Sequence, residues 1–95
     1  MEDHRPSVEL LESTHMFPGT YQIKAIGAAT DDFAGRVVTA VQEVLPAASD
    51  LEYSIRSTQA GRHVAVTLDI TVQTADQVRT IYARIRDVRG LALLF

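Results

Sequence analysis

From Tyr21 to Gly27 the side chains alternate, with Tyr21, Ile23, Ala25 and Gly27 on one side and Gln22, Lys24 and Ile26 on the other. A period of two marks a half-buried strand, and the first set is assigned to its inner face. Ala28-Ala29-Thr30-Asp31-Asp32 then leads to Phe33, Val37, Val41 and Val44 at helical spacing, backed by Ala34, Val38 and Leu45. Thr30 is the expected cap of this helix. Asp31 and Asp32 fall in its first turn, where the positive end of the dipole favours carboxylates, and Pro46 stops it. Asp50 to Thr58 alternates again, with Leu51, Tyr53 and Ile55 inward and Glu52, Ser54 and Arg56 outward. Gln59-Ala60-Gly61-Arg62 supplies a glycine turn. The chain returns through His63 to Val72, where Val64, Val66, Leu68, Ile70 and Val72 point inward and predict a central strand. Thr74 to Gln77 has the spacing of a capping box, with the Gln77 side chain reaching back to Thr74. The helix it opens carries Val78, Ile81, Tyr82, Ile85 and Val88 on one face and ends at Gly90. Leu91 to Phe95 is a last short strand, with Leu91, Leu93 and Phe95 on one side and Ala92 and Leu94 on the other.

Strand, helix, strand, strand, helix, strand is the split βαβ order of the ferredoxin-like α+β fold: a four-stranded antiparallel sheet with two helices on one face. Residues 19–95 form this domain. Residues 1–18 read as an N-terminal tail with at most one helical turn around Val8 to Glu12, bracketed by Pro6 and Pro18, which orders only by docking on the domain.

A 95-residue chain makes one domain with a single core. The absence of cysteine removes disulfides, thiolate metal sites and thiol nucleophiles. No apolar run approaches the roughly 18 to 20 residues that span a bilayer, and no signal-type segment follows the charged start, so a cytoplasmic protein is expected. The net charge of −3 divides unevenly: residues 1–55 hold three basic and nine acidic side chains, residues 56–95 six basic and three acidic. No basic run is present, so a nucleic-acid partner is not expected.

Phe17-Pro18, Lys24-Ala25-Ile26-Gly27, Gly61 in the hairpin, and Gln77-Val78 followed by Ile81-Tyr82 resemble the YbeD-like family of small, functionally uncharacterised bacterial proteins, over residues 17–95. The resemblance implies a fold similar to the ACT domains, regulatory modules that bind amino acids beside metabolic enzymes. In ACT domains the effector lies near the loop between the first strand and first helix, usually where two copies meet. The corresponding loop here is Gly27 to Asp32. Asp32-Phe33-Ala34-Gly35 keeps the acid and a glycine of the ACT helix entrance but lacks its proline.

Gly27, Ala28, Thr30, Asp31 and Asp32 are therefore the candidate ligand-binding residues. Glycine permits close backbone approach and the helix start offers free amides, while the two aspartates suit an amino group better than an anion. A tight strand-to-helix turn accounts for the glycine equally well. Lys24, Ile26, Asp69, Ala92 and Leu94 form the candidate partner interface. Lys24 and Asp69 face outward on neighbouring strands within reach of a cross-strand ion pair, and Ile26, Ala92 and Leu94 make a small apolar area on the face the helices leave open. The two edge strands offer further sites for a second copy. His4, His15 and His63 lack metal-ligand spacing, no nucleophile has a histidine–carboxylate partner pattern, and no phosphate-binding loop occurs. The outward positions of the two central strands lack the base-stacking aromatics of an RNA-recognition motif. No cofactor is expected. The reading is a small regulatory or binding module acting through protein contact or as a homodimer, with an amino-acid-like effector at the first strand–helix loop. The alternative is a small enzyme using Lys24 and a nearby carboxylate on the sheet.

Overall fold

In a computed structural model, residues 5–46, 50–58 and 60–95 are described. They form α1 (Val8–Thr14), β1 (Gly19–Ala28), α2 (Phe33–Val44), β2 (Leu51–Ser57), β3 (His63–Val72), α3 (Ala75–Arg86) and β4 (Leu91–Leu94). The expectations at His4 and Gln59 lie outside the described residues. The four strands make one sheet in the order β2-β3-β1-β4, antiparallel throughout. This is the expected ferredoxin-like architecture.

Alternation decides which side chains reach the helices. Ile23 and Ala25 of β1 and Val66, Leu68, Ile70 and Val72 of β3 are buried, and they meet Phe33, Val37 and Val41 of α2 and Val78, Ile81 and Ile85 of α3. Burying a large aliphatic or aromatic side chain stabilises the fold by about 1.5–3 kcal/mol. The two central strands supply most of the sheet's share. β3 spans the predicted residues, whereas β1 begins two residues earlier and ends one later.

The cap of α3 differs in one bond from expectation. Thr74 Oγ1 accepts from the Gln77 amide at 3.1 Å, but the Gln77 side chain accepts from the Gln73 N–H, at 2.8 Å, rather than from Thr74. The helix stops at Arg86, before Gly90; Asp87 is its C-cap and Gly90 serves the turn into β4 with a φ of 97°.

Two larger departures matter more. Tyr53 and Ile55 lie on the helix side, opposite Leu68 and Val66, yet they are 51% and 52% exposed because the helices do not cover this edge strand. The segment before β1 carries a seven-residue helix, capped by Ser7 Oγ accepting from Leu10 N at 3.1 Å. Its Leu11 is 1% exposed and belongs to the core cluster. Arg79 of α3 donates to the Pro6 carbonyl at 3.0 Å, and the chain then reaches β1 through a cis Phe17–Pro18 bond. His15 packs on Tyr21 with ring centres 4.7 Å apart, and Tyr21 meets Tyr82 edge-on at 6.2 Å, their hydroxyls 3.3 Å apart.

A seven-residue helix is too short to persist alone, so its order depends on Leu11. Leu11→Ala is expected to lower unfolding stability by about 2–5 kcal/mol in urea titration. A loss below about 0.5 kcal/mol, the range of an ordinary surface change, would mean that α1 does not dock in solution. The aromatic contact generates a second expectation. Burial, and then the hydrogen bond with Tyr21, push the Tyr82 hydroxyl pKa upward. The folded protein thus keeps this proton longer than the unfolded chain. Stability should be intact below the unfolded tyrosine value of about 10 and should decline as pH rises through and beyond it. Tyr82→Phe is expected to flatten that alkaline decline in urea midpoints measured across the same range.

Candidate functional site

The β1–α2 connection is built around a ring lying on bare backbone. Gly27 is a buried strand residue, and a Cβ placed on it would come within 2.4–2.6 Å of three ring atoms of Phe33. Glycine is needed here to seat Phe33 rather than to turn the chain or admit a ligand. After Ala28 the chain must rise to the first helical residue within four positions. It does so with Asp31 and Asp32 both left-handed, at φ values of 55° and 53°. Aspartate tolerates this region better than most residues because its short side chain bonds to nearby amides.

Asp32, not Thr30, caps α2, and neither aspartate lies in the first helical turn. The Asp32 carboxylate accepts from Gly35 N at 3.3 Å, and a Cβ on Gly35 would collide with it at 2.3 Å. Thr30 contributes its carbonyl, which accepts from Phe33 N at 3.3 Å. Arg36, which carries no signal in the sequence, holds the arrangement. Its Nε donates to the Asp31 carbonyl at 2.8 Å and its Nη1 to the Arg89 carbonyl at 2.7 Å. The Ala29 amide donates to Arg62 O at 3.0 Å, which ties the loop to the β2–β3 hairpin as well.

Beside the loop is an open cleft of about 170 Å³ lined by Ala28, Ala29, Thr30, Asp32, Phe33, Ala34 and Val64. Of the five candidate ligand residues, Ala28, Thr30 and Asp32 line it. Gly27 lies beneath Phe33, and the Asp31 carbonyl is engaged by Arg36. The cleft is smaller than a typical small-molecule pocket of roughly 300–1,000 Å³.

On the uncovered sheet face, the register separates residues that alternation alone had brought together. Lys24 is opposite Thr67, while Asp69 is opposite Gln22 and accepts from its Nε2 at 3.0 Å. The expected Lys24–Asp69 pair does not form. Ile26 pairs with Leu93 and Ala25 with Leu94, but Gly27 pairs with Leu91, so β4 carries an extra residue at Ala92. A bulge inverts the alternation beyond it. Leu94 consequently packs against the core with Leu91, and the outward place expected for Leu94 belongs to Leu93. Phe95 exchanges backbone hydrogen bonds with Lys24 at 3.1 and 2.8 Å and joins Leu93 on the outer face. Leu93 is 54% and Phe95 62% exposed. The opposite end of this face carries Asp50, Glu52 and Asp69.

The sheet order, the two helices on one face and the helix-entry loop define an ACT-like ferredoxin fold. The ACT domain from the GTP pyrophosphokinase of Chlorobium tepidum superposes with a TM-score of 0.66 at 13% identity, covering 80% of this chain and 94% of that one. The solution structure of protein HP0495 from H. pylori gives 0.66 at 12% identity over 99% and 98%. The chain belongs to the DUF493 family, described as protein of unknown function, whose profile matches residues 12–94. UPF0250 proteins of Shewanella piezotolerans and Shewanella sediminis are 30% and 31% identical over 83 residues, covering 87% of this chain and 88% of each relative. These bacterial relatives bear out the YbeD-like resemblance. No helix among the described residues is long and apolar enough to cross a membrane.

Gly27→Ala is expected to cost about 1–3 kcal/mol of unfolding stability through overpacking against Phe33. In the Phe33→Leu background the same change should cost clearly less, and the difference between the two urea-derived values measures their contact. Equal costs in both backgrounds would show that Phe33 is not what Gly27 accommodates.

Proposed function

We propose that this domain is a non-catalytic cytoplasmic regulatory module that works through protein contact and receives an amino-acid-like effector at the β1–α2 cleft. The carrying observation is the braced pair of left-handed aspartates beside that cleft. Residues held in an uncommon backbone region by surrounding bonds are characteristic of binding sites. The Asp32 carboxylate, which lines the cleft, favours a ligand's ammonium group, and the Arg36 guanidinium is already occupied by two carbonyls. Similarity to the ACT domain of a GTP pyrophosphokinase supports a regulatory role through fold alone. The enzyme alternative has weaker support, since Lys24 is exposed opposite Thr67 and the Asp69 carboxylate is bonded to Gln22.

Amide NMR titration with individual amino acids at millimolar concentration is expected to give saturable shifts confined to Ala28–Gly35. Asp32→Asn keeps a cap acceptor but removes the charge, and should weaken that binding about tenfold, equivalent to ~1.4 kcal/mol. Absence of saturable shifts with every amino acid would remove the effector from the proposal and leave protein contact as its content.

A further inference from the structure

The two edges of the sheet are protected to different degrees. β4 has four residues and a bulge, both of which discourage another strand from adding to it. β2 has seven residues in unbroken register with β3, and contains no proline, lysine or bulge. No described strand lies on its other side.

The direction of its free groups follows from the bonds it makes. Thr71 N donates to Asp50 O at 3.1 Å and Thr58 N to His63 O at 2.9 Å, so the even-numbered residues of this segment turn their backbone groups toward β3. Leu51, Tyr53, Ile55 and Ser57 turn theirs toward the open edge. An antiparallel partner must match these odd positions with its own edge-directed positions.

We infer that β2 pairs with β2 of a second copy about a two-fold axis at Ser54. In that register Tyr53 is opposite Ile55 of the other copy and Leu51 opposite Ser57, so every edge-directed amide and carbonyl of the strand gains a partner. On the helix side, the buried row through Leu68 and Val66 continues outward as Tyr53 and Ile55, the two half-exposed apolar residues that the helices leave uncovered. Each would pack on its counterpart across the axis. On the outer face, Glu52 is opposite Asp69 within one copy, a like-charge pair that destabilises a sheet. The axis at Ser54 places Arg56 of the second copy directly opposite Glu52, twice by symmetry. Hydrogen bonding, apolar contact and charge thus agree on one register and one occupant. An isologous contact of this kind closes on itself and does not propagate. The inference rests on β2 alone and is independent of any effector at the β1–α2 cleft.

The chain contains no cysteine, so a single introduced thiol reports on its own environment. At the axis Ser54 faces itself in a non-hydrogen-bonded pair, with Cα atoms about 4.5 Å apart, within disulfide range. Ser54→Cys is expected to oxidise in air to a covalent dimer, whereas Ser57→Cys, six residues and about 20 Å from its counterpart, stays monomeric on a non-reducing gel. Sedimentation equilibrium should show the unmodified protein as a dimer. Glu52→Arg and Arg56→Glu should each raise its dissociation constant at least about tenfold, and the double variant should restore it. Glu52→Arg also replaces the like-charge pair with Asp69 by an attractive one, so weaker association cannot be blamed on unfolding. A monomer at all concentrations overturns the inference. A dimer indifferent to the charge changes, with no Ser54→Cys disulfide, also overturns it and moves the contact to the open sheet face.

Discussion

The approach of the Phe33 ring to the Gly27 backbone sets the conformation of everything between them. Gly27 belongs to a central strand and Phe33 is the first residue of α2, so their contact fixes where the helix starts above the sheet. The five intervening residues must climb from one to the other, and the left-handed pair Asp31–Asp32 forms the last step of that climb. Each left-handed residue costs about 1–2 kcal/mol. Burial of the phenylalanine, about 1.5–3 kcal/mol, and the Asp32 cap, about 1 kcal/mol, offset that cost. The loop geometry is therefore held by core packing and by the Asp32 cap.

How much the sequence discloses depends on whether polar residues mark the phase of each strand. In β3 every second residue is polar or small, and both its limits and its faces are legible. Leu91 to Phe95 contains no polar residue, so nothing there signals the extra residue at Ala92, and Leu93 and Leu94 exchange roles. Periodicity also leaves slips of two residues undetermined, because they preserve the faces. Such a slip separates Lys24 from Asp69: both are outward, but one row apart. Tyr53 and Ile55 show a third limit, since alternation gives a side chain's face and not the reach of the helices above it.

The candidate site was legible in outline and wrong in its internal roles for similar reasons. Thr30, Asp31 and Asp32 are all competent caps, and local preference does not choose among them. Gly35 does, since only a residue without Cβ leaves room for the Asp32 carboxylate beside its amide. Arg36 leaves no trace in sequence because its second acceptor, the Arg89 carbonyl, is brought near only by the fold. Leu11 falls in the helical turn expected around Val8 to Glu12, but its burial depends on α3 providing a surface to dock against.

Arg36 also gives the loop and the outer sheet face a common support. One guanidinium binds the carbonyl of Asp31, in the loop, and that of Arg89, immediately before Gly90 and β4. The Ala28 amide donates to Gly90 O at 3.0 Å, and three and five residues beyond Gly90 the chain presents Leu93 and Phe95 on the outer face. A shift of the Asp31–Asp32 turn must therefore either break a charge-assisted hydrogen bond or carry the entrance of β4 with it. β4 is short and bulged, and a bulge locally disrupts the ladder that would hold its entrance in place. The cleft and the exposed Leu93–Phe95 edge are consequently neighbours, joined by the Arg36 guanidinium and by the Ala28–Gly90 backbone bond.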